Sequence, residues 1–101
     1  MQSQPDISHH ARERGKQRAG LDAKALERTA AKALQDGLHA HETTGRLRRY
    51  LDAIAREHKT TPRVHGNHVY FFGRENCLVT VIELPHEHRK SAASTLKKRA
   101  K

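Results

Sequence analysis

The chain has 101 residues, 35% of them hydrophobic and 31% charged, which allows one modest core and not two. Lys and Arg number 20 against 11 acids, a net charge of +9; so basic a small body favours polyanions, whether DNA, RNA or an anionic membrane surface, although a solubilising surface would carry the same charge. Cys77 is the one cysteine, which excludes an internal disulfide and fits a reducing, cytoplasmic setting. The opening MQSQPD has no apolar run of the signal-peptide kind, and the longest apolar stretches, Val69 to Phe72 and Leu78 to Ile82, are far too short to span a bilayer.

Residues 1–7 read as a flexible N-terminus. Asp6 or Ser8 then caps a helix over roughly His9 to Ala19. Its apolar residues are only Ala11, Gly15 and Ala19, so it should lie on something larger with Arg12, Arg14, Lys16 and Arg18 turned outward. A second helix starts at the N-cap Asp22. Leu21 and Leu26 form its hydrophobic staple, Ala23, Leu26, Ala30, Ala33 and Leu34 its apolar stripe, and Gly37 its stop. A third helix, from about Gly45 to His58 behind the N-cap Thr44, carries Leu47, Tyr50, Leu51, Ile54 and His58 on one stripe.

The period then changes. Arg63-Val64-His65, a turn at Gly66-Asn67, and His68 to Phe72 predict a hairpin. Cys77 to Leu84 predicts a third strand, apolar on both sides and therefore central or covered on both faces. Residues 86–101 carry six Lys or Arg against one Glu without an apolar period, and read as a disordered basic tail. The expected architecture is α+β: two to three N-terminal helices packed on a small three-stranded antiparallel sheet within residues 8–85.

Nine histidines invite a metal, but a structural zinc site wants four Cys or His in a closed set, and no pair has the i, i+4 spacing of a zincin helix. The acids are scattered singly, so no carboxylate cluster for two-metal chemistry is expected, and no Gly-rich phosphate loop or nucleophile elbow is present. Neither a metal nor another cofactor is expected. Histidine and arginine remain, and metal-independent RNA cleavage needs only these. RNA supplies the 2′-OH nucleophile, imidazole moves the protons near neutrality, and guanidinium neutralises charge on the phosphorane.

His10, Arg14 and Arg18 align at i, i+4, i+8 on the first helix, either as a catalytic group with its phosphate clamp or as a plain phosphate-contacting face. Thr44-Gly45 opens the third helix with free backbone N–H groups, an anion site flanked by Arg46 and Arg49, with Arg48 on the same basic segment; ordinary capping is the competing reading. Thr80 interrupts an apolar strand and must find a partner, in a cleft beside His68 or Tyr70 or as a satisfied strand residue. Tyr70, Phe71 and Phe72 superficially match an RNA-stacking strand, but a core role is expected. Arg12, Arg18, Lys97, Lys98 and Arg99 complete the expected RNA-binding set.

The opening His-Ala-Arg-Glu-Arg-Gly-Lys-Gln-Arg helix from His10, and the closing Leu78-Val79-Thr80-Val81-Ile82 strand, resemble small RelE-like ribonucleases of the barnase, EndoU, colicin and RelE-type group. This resemblance implies a helix packed on a curved sheet, an RNA-binding cleft, and His10, Arg14 and Thr80 as catalytic residues. The chain departs from the pattern by inserting the helix Gly45 to His58 before the sheet. Two functions follow as expectations: a metal-independent endoribonuclease of toxin or phage type, or a non-catalytic binder that blocks a nucleic-acid or ribonucleoprotein complex. The expected partners are RNA or a ribonucleoprotein, and a cognate antitoxin or target complex, with no membrane.

Overall fold

The computed structural model describes residues 7–99. Helices α1 (His9–Ala19), α2 (Ala23–Asp36) and α3 (Gly45–His58) are followed by strands β1 (Thr61–His65), β2 (His68–Phe72) and β3 (Leu78–Glu83), and the chain continues into α4 (His86–Arg99). The strands form one antiparallel sheet in the order β1-β2-β3. The class is α+β as expected.

One feature differs from the sequence expectation. The segment 86–99 is a helix, not a disordered tail, which brings the helices among the described residues to four. Of the two placements expected for the third strand, central or covered on both faces, the second holds: β2 is central, and β3 is an edge strand with Leu78 and Val81 packed into one layer and Thr80 and Ile82 turned to the other.

β2 explains the layering. Val69 and Phe71 project to one side and pack with Val64, Leu84, Leu47, Leu51 and Ile54 of α3, and Ala92 of α4. Tyr70 and Phe72 project to the other and pack with Leu78, Val81, Ala11 of α1, and Leu26, Ala30 and Ala33 of α2. The sheet is thus sandwiched between an α1/α2 layer and an α3/α4 layer, and Tyr70, Phe71 and Phe72 are core residues, at most 2% exposed. Fully burying a side chain of this size contributes about 1.5–3 kcal/mol.

The ladder between β2 and β3 slips by one residue: Phe71 faces Thr80 while Phe72 faces Leu78. Val79 is the extra residue of a β-bulge. The slip lets Leu78 and Val81, three apart, enter the same core layer.

Both sheet edges are covered. On β3, the Ser8 N–H donates to the Leu78 carbonyl at 3.0 Å, the Ser8 hydroxyl to the Val79 carbonyl at 3.1 Å, and Arg18 Nη1 to the Val81 carbonyl at 3.2 Å. The same Ser8 Oγ accepts from the Ala11 N–H at 3.1 Å as the N-cap of α1. A helix with little apolar surface is therefore pinned to the sheet edge at both ends. On β1, Leu38 exchanges two backbone hydrogen bonds with Val64, at 2.8 and 3.1 Å. Just before it, Gly37 is required by crowding, because a Cβ there would sit 2.3 Å from the Ala33 carbonyl oxygen.

α4 closes the second layer. Arg89 Nε donates to the Leu84 carbonyl at 2.9 Å, His88 is 8% exposed and stacks on Tyr50 at 4.8 Å between ring centroids, and Ala92 is buried. α4 runs antiparallel to α3, with His88 beside Tyr50 and Arg99 beside Glu42.

Two measurements test this account. Ser8→Ala should lower stability by about 1–2 kcal/mol in urea unfolding, since it loses a cap and leaves the bulge carbonyl unpaired. Deleting residues 86–101 should cost at least about 2 kcal/mol by uncovering core apolar surface; an unchanged urea midpoint would mean that the segment contributes nothing to the fold.

Candidate nucleic-acid interface

α3 begins where the chain turns sharply. Gly45 has φ +63°, a conformation that favours glycine, and open space surrounds its Cα. Thr44 precedes it without a side-chain capping bond, so no hydroxyl covers the first turn of α3. Exposed backbone N–H groups and the positive end of the helix dipole make such a terminus attractive to anions.

Beside it, the antiparallel α4 brings its C-terminal half. A groove of about 410 Å³ lies between them. Thr44 and Leu47 form one wall. Lys90, Ser91, Ser94, Thr95 and Lys98 form the other, with Glu87 at the far end. The groove is therefore lined by hydroxyls and two ammonium groups, with one carboxylate. Exposed Arg46 and Arg49 of α3 and exposed Lys97 of α4 add charge to the same layer.

One residue pair fixes the end of the groove nearest Thr44. Arg99 Nε donates to Glu42 Oε2 at 2.9 Å, and its Nη2 donates to Glu42 Oε1. The same guanidinium reaches the Asp36 carbonyl at 2.5 Å and the Gly37 carbonyl at 3.3 Å. Glu42 also accepts from the His39 N–H at 2.9 Å. The last turn of α4 is thus tied to the end of α2 and to the short 3-10 turn Ala40–Glu42 that leads into α3. The Arg99 hydrogen bond, with that from His39, holds the Glu42 carboxyl below the ordinary carboxylate range. Next to it, His39 stacks on His41 at 4.8 Å. Burial, then the Arg63 charge, pushes the His39 imidazole below its ordinary 6.5.

The expected site residues separate into groups. Thr44 and Lys98 line the groove together, and Arg46, Arg49 and Lys97 are exposed in its layer. Arg48 is exposed but engaged with Asp52 at 3.3 Å. Arg99 and Arg18 serve structure, through the clamp and the β3 edge respectively. Arg12 is exposed on α1 and Arg14 half-buried there, while the side chain of His10 lies outside the described residues. Thr80 faces Phe71 in register and so projects into the α3/α4 layer. It does not share a face with His68 or Tyr70, which pair with Glu83 and Val81, and it is on the opposite side of the sheet from the layer that contains α1. The structure therefore does not bring Thr80 to His10 and Arg14.

Among the described residues no group of three or more His, Cys, Asp or Glu is placed to hold a metal. No described helix is long and apolar enough to cross a membrane.

Lys90, Ser91, Ser94, Thr95 and Glu87 escape sequence reasoning because their segment reads as coil. Its helical signal is present: Glu87 in the first turn, Lys97, Lys98 and Arg99 in the last, and His88, Ala92, Thr95 and Arg99 along one stripe. The stripe is hard to recognise because it is built from a histidine and small residues. No family model, curated protein or solved structure matches this chain.

The Glu42 clamp and His39 make distinct pH windows. A lowered Glu42 pKa adds stability that is complete above 4.5, its ordinary value, and lost as pH falls through the folded value. Urea midpoints of wild type and Glu42→Gln should therefore differ most near neutrality and converge in acid. His39, also lowered, adds stability that is complete above 6.5 and lost as pH falls through its own depressed value. His39→Gln should flatten that part of the profile and leave the Glu42 part in place.

Proposed function

We propose that the protein is a non-catalytic RNA-binding module that takes the sugar-phosphate backbone into the groove between α3 and α4. The observation that carries this reading is the groove itself, in which an uncapped helix N-terminus faces Lys90 and Lys98. Ammonium groups and backbone N–H groups are the usual partners of phosphate oxygens. The hydroxyls of Ser91, Ser94 and Thr95 and the Glu87 carboxylate add acceptors that a ribose 2′-OH can satisfy and a deoxyribose cannot, which favours RNA over DNA. A binder that acts by occupying an RNA or a ribonucleoprotein needs nothing more.

The cleavage alternative keeps His10 as acid or base and Arg14 as phosphate clamp on α1. It has less support, because acid–base catalysis needs its groups within reach of one reacting atom, and Thr80 lies across the sheet. The localisation that accompanies either RNA reading is cytoplasmic.

Lys90→Ala with Lys98→Ala should weaken binding to a short single-stranded RNA about 10-fold or more near physiological salt and flatten the dependence of log K on log salt by about 0.7 for each phosphate no longer neutralised. Fluorescence anisotropy across a salt series measures both. His10→Ala should bind as wild type does, and neither protein should cleave labelled RNA in EDTA. Products with 2′,3′-cyclic phosphate ends from wild type alone would replace the binder reading with the ribonuclease one.

A further inference from the structure

We infer that the α1/α2 layer carries a second phosphate-backbone surface, so that one molecule holds two RNA segments on opposite faces of its sheet. The inference rests on the RNA reading above and extends it.

Lys24, Arg28 and Lys32 are all exposed on α2. Their four-residue spacing sets them in one row, about 12 Å long at 1.5 Å of rise per residue. Arg12 and Lys16 repeat the spacing on α1 and are likewise exposed. The two helices touch closely, because a Cβ on Gly15 would come within 2.8 Å of Leu26 Cδ2.

Helix surfaces are ordinarily stabilised when i, i+4 neighbours carry opposite charges, and like charges at that spacing oppose the helix. α3 follows the ordinary rule with Arg48 and Asp52. The α1/α2 layer does the reverse at Lys24 and Arg28, Arg28 and Lys32, and Arg12 and Lys16. The neighbouring acids are engaged elsewhere or unpaired with the row: Glu13 is 3.3 Å from His9, Asp22 is spent capping α2, and Glu27 and Asp36, three residues after Lys24 and four after Lys32, form no ion pair with them among the described residues. None of these five cations forms an ion pair among the described residues. They contrast with Arg18, Arg63 and Arg99, whose guanidiniums are bound to backbone carbonyls.

Three cations at successive i, i+4 positions present their charges at a regular spacing to a regularly charged strand. The row lies on the far side of the sheet from the α3/α4 groove, in a molecule 33 × 30 × 25 Å across. The width exceeds the Debye length of about 8 Å at physiological ionic strength, so two bound backbones are screened from one another.

The test joins two readouts on the full-length chain. Anisotropy reads binding of a labelled 12-nucleotide RNA, and a bridging assay reads capture of that RNA by the same sequence immobilised on a surface. The comparison protein is Lys24→Ala/Arg28→Ala/Lys32→Ala, in which alanine favours the helix and so preserves the fold. Wild type should bind and bridge; the triple variant should bind within about 3-fold of wild type and bridge at least about 10-fold less. Bridging retained in the variant would overturn the inference, including the case in which associated copies bridge through the groove alone. Loss of both activities would also overturn it, by making the α2 row the primary surface. Wild type that binds without bridging would sink the inference and leave the RNA-binding reading intact, whereas wild type that binds no RNA would sink that reading first.

Discussion

β2 has no solvent side, and most of the architecture follows from that constraint. A strand with Val69 and Phe71 on one face and Tyr70 and Phe72 on the other needs apolar cover twice. With only 101 residues, the chain provides it by placing two helices before the sheet on one face, and one before and one after it on the other. A three-stranded sheet also has two edges close to its core, and unpaired backbone groups there are costly when water is excluded. Ser8, Arg18 and Leu38 meet that need with side-chain and main-chain bonds instead of further strands. Strand addition is therefore a poor route to partners for this protein, and the helical layers are the surfaces it leaves open.

Histidine usage follows from the same shortage of material. With four aromatic residues in the whole chain, rings are scarce. His88 stacks on Tyr50, His58 meets Phe71 edge-on at 4.7 Å, His65 meets Tyr70 at 6.2 Å, and His39 stacks on His41. An imidazole ring can fill a half-buried site, and its nitrogen can still reach a carbonyl, as His68 Nε2 does with the oxygen of Arg18 at 3.3 Å. An abundance that suggested metal or catalysis thus has a packing explanation for much of the chain.

The periodic elements are legible in the sequence, and the ones whose order comes from elsewhere are hidden in it. α2 and α3 announce themselves through Leu26, Ala30, Leu47, Leu51 and Ile54 at helical spacing, and the strands through alternation and β-branched residues. α1 is legible in extent and in its need for a platform, but not in where it sits, because that depends on hydrogen bonds from Ser8 and Arg18 to a strand some seventy and sixty residues away. α4 is hidden because charge dominates its composition while His88, Ala92 and Arg99 order it. The site divides the same way: Thr44 and the basic segment after it can be read locally, whereas their juxtaposition with Lys90 and Lys98 comes from the docking of α4 through Arg89, His88, Ala92 and Arg99. Which guanidiniums are structural is likewise a tertiary property.

The bulge at Val79 has an evolutionary side. It sets the phase of β3, so that Leu78 lies in one core layer with Val81 while Thr80 turns to the other. Losing Val79 would restore simple alternation, with Leu78, Thr80 and Val81 still facing Phe72, Phe71 and Tyr70, and would remove the carbonyl that accepts from the Ser8 hydroxyl. Substitutions at Val79, which is only half-buried, change one side chain; a single-codon deletion leaves the core layers in phase and changes the edge on which Ser8 seats α1. A length change fixed at this position should therefore travel with a changed Ser8 and a reseated α1, whereas varied residues at it should leave both in place.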